Sequence, residues 1–295
     1  LTILLKCTPE KWSTDISAVD YAQASIYSTP IPNFPYNRID GSIQIDNVKF
    51  NNTDCFKFYV KGNDPLRYSG HRAEFTSGQG IVNKAAWDNV TLNPSGTVTR
   101  WYSFAFRCES PWDKFEDSTQ TCVLFQLHQN GDTIAAGNPA PYNGDDVVGP
   151  VLLGLFCHGN KWQIRNSYSS TPIVTSYSES VIYERPIITD EFQYVTIKIT
   201  FGWNNDGETT VYWNHREVFK QIGVNNAHNN FTGPFMKFGV YLRNHNIDTN
   251  PYPADRLVFH RGVIIGDGNS SFNEVQFDNK VELPKATGKA IFKMR

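Results

Sequence analysis

The chain lacks most of the features that would place it at once. No stretch comes near the ~20 consecutive apolar residues that a membrane-spanning helix needs, so no membrane partner is expected. It has no basic surplus: 27 Lys and Arg face 29 Asp and Glu, a net charge of −2. Proteins that hold nucleic acid carry a basic face that shows in such a count, so nucleic acid is excluded as a partner. Cysteine is sparse. None of Cys7, Cys55, Cys108, Cys122 and Cys157 forms a CxxC pair, which argues against a zinc site, and the odd number leaves at least one thiol free. Internal repeats, charge blocks, low-complexity tracts and long amphipathic helical patterns are also missing.

What is present is a strand signal. Hydrophobic residues make up 40% of the chain and charged residues 19%, the balance of an ordinary folded protein. A chain of 295 residues can bury a large core, and all-β sandwiches use about 200–250 residues as one unit. Aromatic residues reach 14%, which suits both strands and carbohydrate-binding surfaces. Apolar residues recur with period 2 over 97–108, 122–128, 194–203, 209–213, 217–221, 237–243 and 257–265. Within 122–128 the alternation sets Val123, Phe125 and Leu127 against Leu124, Gln126 and His128. Val195, Ile197, Ile199, Phe201 and Trp203 share one face, and Asn214-His215-Arg216 reads as a hairpin turn.

Many strands with Gly, Asn, Asp and Pro turns predict an all-β fold, an antiparallel sandwich or barrel. The Pro-rich run 28–35 reads as an extended arm or edge segment, and 138–146 as a loop. Neither separates two self-sufficient hydrophobic segments, so one domain over 1–295 is expected. Cys108 and Cys122 bracket a polar loop and read either as a pair across its base or as small buried thiols.

Several strands carry polar groups opposite their apolar side. Arg72 and Glu74 are two apart, as are Gln126 and His128; Lys237, Tyr241 and Arg243 share a face by even spacing. Gly239 lies between Lys237 and Tyr241 and leaves room for a ligand to approach the sheet. Each piece has a plain alternative. A lone strand histidine is usually structural, a Lys-x-x-x-Tyr face is usually solvated, and Arg-Ala-Glu is a natural ion-pair row.

Taken in order, the blocks are more specific. Arg72-Ala73-Glu74, Trp101-Tyr102, Phe125-Gln126-Leu127-His128, Trp203-Asn204-Asn205-Asp206-Gly207 and Lys237-Phe238-Gly239-Val240-Tyr241 together resemble the heparin lyase I-like polysaccharide lyases. Glucuronan lyases and jelly-roll alginate lyases have similar blocks. The resemblance spans residues 65–268, and the first sixty residues match no block. It implies a β-jelly roll of concanavalin-like form with a concave substrate groove. It also implies that an acidic polysaccharide is cleaved by β-elimination, with His128 and Tyr241 handling protons.

The residue types suit that chemistry. Elimination removes a proton α to a uronate carboxylate, and donors must bind the carboxylate to stabilise the enolate-like state. Gln126 and Arg72 fit, Arg72 by bidentate pairing. His128, from a type with pKa near 6.5, fits a base. Tyr241 fits the acid that protonates the leaving oxygen, or both roles in a syn elimination, helped by a cation such as Lys237 or Arg243. Lys237, Arg243 and Glu74 complete a substrate-binding set, and His71, facing the other way, is given a structural role.

Other readings stay open. A glycoside hydrolase would need two carboxylates about 5–9.5 Å apart, and Glu109, Asp113 and Glu116 are the nearest candidates. A carbohydrate-binding module, or a virion or adhesin domain of the same fold, would need no proton-handling pair. No cofactor is expected in the chemical step. The resemblance does imply a structural calcium ion, with Asp145, Asp146, Asp206 and Asp255 as oxygen donors, against the alternative that these are turn carboxylates. A chain that opens at Leu1 rather than Met fits a secreted protein whose leader was removed, or a trimmed one, and the expected setting is extracellular.

Overall fold

A computed structural model of the chain describes residues 3–7, 23–26, 29–30, 43–50, 53–60, 70–76, 98–110, 112, 121–129, 137, 140–141, 144–146, 151–231, 233–243 and 256–277. The strands in order are β1 (Ile3–Cys7), β2 (Gln23–Ile26), β3 (Thr29–Pro30), β4 (Ile43–Phe50), β5 (Thr53–Val60), β6 (Gly70–Thr76), β7 (Thr99–Cys108) and β8 (Thr121–Gln129). They continue with β9 (Val151–His158), β10 (Lys161–Tyr168), β11 (Ser178–Pro186), β12 (Gln193–Thr200), β13 (Gly207–Trp213), β14 (Arg216–Val224), β15 (Pro234–Arg243) and β16 (Arg256–Gly266). Among the described residues the only helix is α1, Phe272–Val275, too short to cross a membrane.

All the pairings between these strands are antiparallel. One sheet runs β14-β13-β12-β7-β16-β5-β4, with β1 on β16; the other runs β11-β10-β9-β8-β15-β6-β2-β3. The two sheets pack face to face, so the expected antiparallel sandwich of the jelly-roll kind is what the chain forms. The Pro-rich run contributes Thr29–Pro30 as the last strand of the second sheet, where a missing N–H does least harm.

The core between the sheets is aromatic. Phe104 of the first sheet stacks on Phe125 of the second at 4.4 Å between ring centroids. Phe58, Phe238 and His260 close the same layer, with Phe238 and His260 4.8 Å apart. Each such fully buried phenylalanine contributes roughly 1.5–3 kcal/mol of apolar burial. Val195, Ile197, Ile199, Phe201 and Trp203 all lie in this core, although β12 ends at Thr200 and the last two belong to the following turn.

Two local expectations need correction, and one open choice closes. The β13–β14 hairpin turns on Asn214 and His215 alone, with φ of 47° and 64°, and Arg216 is already in β14. Two left-handed residues match the twist of the flanking strands, which a three-residue turn does not require. In β8 the alternation breaks. A bulge between Val123 and Phe125 puts Leu124 and Phe125 both in the core and turns Val123 to the opposite face. Cys108 and Cys122 form no disulfide: both are buried thiols, as are Cys55 and Cys157. Burial, with the neighbouring thiols adding to it, pushes Cys108 and Cys157 well above the usual range and keeps them protonated.

Candidate active site

The face of the second sheet that looks away from the core carries the candidate residues. Met236, Phe238, Val240 and Leu242 of β15 enter the core, so Phe235, Lys237, Gly239 and Tyr241 lie on the other side. On β8, Phe125 and Leu127 enter the core, which leaves Val123, Gln126 and His128 on that outer side.

Strand register lines these residues up in rows that cross the sheet. In the first row Lys237 stands opposite Gln126, Gln126 opposite Gly154, and Gly154 opposite Arg165. In the second, Arg72 stands opposite Tyr241, Tyr241 opposite Val123, Val123 opposite Phe156, and Phe156 opposite Gln163. Directly opposed residues share a face, so each row is a line of neighbours about 4.8 Å apart from strand to strand. Glu74 is placed opposite Gly239 and Arg243 opposite Thr121; for these two and Arg72 only the backbone position is described. His71 stands opposite Leu242 in the register, and for it too only the backbone position is described.

Gln126 and Lys237 are nearly inaccessible, each about 1% exposed, and Tyr241 is 8% exposed. The Lys237 ammonium lies 5.2 Å from the Phe235 ring centroid, and the same ring meets His128 at 5.3 Å. Tyr241 packs with Val123 and Phe156 in a small apolar cluster separate from the main core. His128 is half-buried and opposite Phe235, whereas Tyr241 is opposite Val123. The two proton-handling candidates therefore sit on adjacent strands but five residues apart along β8 (128 against 123), about 16 Å of backbone. Gln126 and Lys237 lie between them.

One charged residue of this face is outside the expected set. Arg165 of β10 closes the first row, its guanidinium 5.1 Å above the Phe156 ring. Its Nε and Nη2 donate to Gln163 Oε1 at 3.0 and 2.7 Å. Gln163 in turn donates to Glu184, whose carboxylate also takes a hydrogen bond from Lys161. Those two bonds hold the Glu184 carboxyl below its usual range, the one from Lys161 most. A sequence signal for this strand exists: Gly159-Asn160 is a turn, and Lys161, Gln163 and Arg165 alternate with Trp162 and Ile164.

The remaining candidates fall elsewhere. Glu109 is tied to Arg107 at 2.7 Å, and Asp113 and Glu116 lie outside the described residues. Asp146 accepts from the Val174 backbone at 2.6 Å and from Asn230 at 2.7 Å, and Asp206 accepts from the Asn204 backbone at 3.2 Å. Asp145 is exposed. Among the described residues no three His, Cys, Asp or Glu side chains gather as a metal site; Asp255 lies outside them.

An all-β sandwich with polar and cationic rows across one outer face is the class these observations define. The chain belongs to the polysaccharide lyase family: the family model described as "Polysaccharide lyase" matches residues 12–279. It is an enzyme that acts on polysaccharides. Among curated protein sequences none matches the chain. Its fold is similar to that of an endo-β-1,4-glucuronan lyase from the fungus Trichoderma reesei, with TM-score 0.61 and 15% identity over 87% of this chain and 97% of that one. It is also similar to the family 7 alginate lyase A1-II', with TM-score 0.52 and 12% identity over 89% and 100% of the two chains. The family 7 alginate lyase AlgAT5 gives TM-score 0.51 and 11% identity over 84% and 95%.

Proposed function

We propose that this enzyme cleaves a uronic-acid-containing polysaccharide by β-elimination on the outer face of the second sheet, leaving unsaturated uronate ends. The observation that carries the reading is the register of β6, β15 and β8, which gathers Arg72, Tyr241, Lys237 and Gln126 on adjoining strands of a polysaccharide lyase. Gln126 and Arg72 bind the uronate carboxylate and stabilise the enolate-like state. His128 takes the C5 proton, and Tyr241 delivers a proton to the leaving oxygen, or serves both steps if elimination is syn. Lys237, Arg243 and Glu74 hold the sugar chain. These groups supply the charge stabilisation themselves, so the reading assigns no cofactor to the chemical step.

A net charge of −2 favours a lightly sulfated or unsulfated polymer over heparin-like chains. Glucuronan and alginate, the substrates named for the similar folds, head the panel to test. A polymer of this kind is met outside the cell, and we place the enzyme there. The experiment is incubation with a panel of uronate polymers while the ultraviolet absorbance of the conjugated product is followed. Rising absorbance on at least one polymer is expected. Chain shortening with no absorbance change would mean hydrolysis and would overturn the reading.

A further inference from the structure

The first row does not end at Gln126. Beyond it comes Gly154, and beyond that Arg165, two strand spacings or about 10 Å from Gln126. The floor between them is the edge of the Phe156 ring and the Val151 side chain, which close over Gly154. A Cβ there would meet Phe156 Cε2 at 2.8 Å and the Phe125 carbonyl at 2.9 Å, so no side chain fits without displacement. Arg165 stands at the far side of this floor with 16% of its side chain exposed.

The guanidinium is held but not used up. Of its five N–H donors, Nε and one on Nη2 go to Gln163, and one on Nη1 makes a long 3.4 Å contact with Glu179. One N–H on each Nη remains. Two N–H groups on the end of a fixed fork match the two oxygens of a carboxylate. The stack on Phe156 and the Gln163 contacts fix the plane of that fork before any ligand arrives.

We propose that Arg165 is a second carboxylate-binding subsite, which takes the uronate next along the polymer from the one bound at Gln126. This rests on the β-elimination reading above and deepens it: the enzyme selects chains that carry acid groups on neighbouring sugars. A sugar lying on the Phe156 ring edge that covers Gly154 bridges the two subsites. The Glu179 contact, the longest and most exposed of the three, is the one the substrate carboxylate replaces.

The probe is a series of β-1,4-linked glucuronate oligomers of increasing length, with binding measured by calorimetry in the Tyr241→Phe background so that turnover does not interfere. Adding Arg165→Gln should weaken binding of long oligomers on the order of tenfold to a hundredfold, the loss of a charge-assisted pair. Binding of the shortest oligomers should not change, and Arg165→Lys should restore part of the loss. Equal affinity at every length overturns the proposal, and so does an equal loss at every length with a lowered Tm, which marks a structural role. Failure of the two readings is distinguishable. Normal elimination by the unaltered enzyme with Arg165-independent binding overturns only the subsite. Length-dependent loss in a chain that yields no unsaturated product overturns only the elimination chemistry.

Discussion

Tyr241 packs in the apolar cluster with Val123 and Phe156, and its hydroxyl is the one group that can carry a proton, so packing and proton transfer can be separated by substitution. Tyr241→Phe keeps the packing against Val123 and Phe156 and removes only the ionisable group. Elimination should fall by about 10²–10⁴ while oligomer binding and Tm stay close to wild type. Initial rates of unsaturated product, beside calorimetric binding, check this; a rate within about tenfold of wild type removes Tyr241 from proton transfer. Gln126→Ala should slow turnover by about 10²–10³ through lost carboxylate stabilisation. His128→Ala divides the two mechanisms. With His128 as base the loss is about 10²–10⁴. The offset of five residues from Tyr241 makes the alternative concrete: a mild loss at His128 with a severe one at Tyr241 assigns both proton steps to the tyrosine.

At the scale of strands, what was legible followed the strength of the alternation. β7, β8, β12, β13, β14, β15 and β16 are readable because apolar residues recur at every second position over much of each, even where, as at Trp101, Ala105 and Ile264, the other face also packs against apolar groups. The strands β9 and β10 went unread, and Arg165 with them. In β9 a run of Leu152, Leu153, Leu155 and Phe156 hides the period, since a bulge at its start places two successive leucines in the core. The bulge at Leu124 was invisible for the same reason: both neighbours are apolar, and only the partner strands show which one turns outward. Gly239 is where β15 accommodates that irregularity, with φ of 140° between Lys237 and Tyr241. An L side chain is strained there, so Gly239→Ala should destabilise by about 1–3 kcal/mol and shift Tyr241 relative to Lys237. Urea denaturation and kcat together test this: unchanged stability with unchanged kcat would show that the strand absorbs the methyl group without moving the row.

The sandwich buries two histidines, one of them in the core between the sheets, and this gives the molecule an acid limit separate from its chemistry. His260 lies among Phe58, Phe104 and Phe238 between the sheets, and its Nδ1 accepts the Gly262 N–H at 3.2 Å. Burial lowers its pKa to about 3. His228 is also buried, with Nε2 3.1 Å from Ser167 Oγ; Ser167 donates to the Val151 carbonyl, so the imidazole donates to the serine. Burial lowers its pKa to about 4. In the unfolded chain both return to about 6.5. Above that pH neither state binds the proton and the folded state keeps its full stability. As pH falls below about 6.5 the unfolded state takes up protons that the folded state refuses, and stability declines by about 1.4 kcal/mol per pH unit for each histidine. The decline from His228 ends near pH 4 and that from His260 near pH 3. By about pH 5 each has removed about 2 kcal/mol, a large part of an ordinary folding free energy of about 5–15 kcal/mol. Urea denaturation at steps from about pH 7 to about pH 5 should show this slope, and His260→Phe, which keeps an aromatic ring in the layer, should reduce it by the share of one proton. A slope that His260→Phe leaves unchanged would assign the acid sensitivity to other groups.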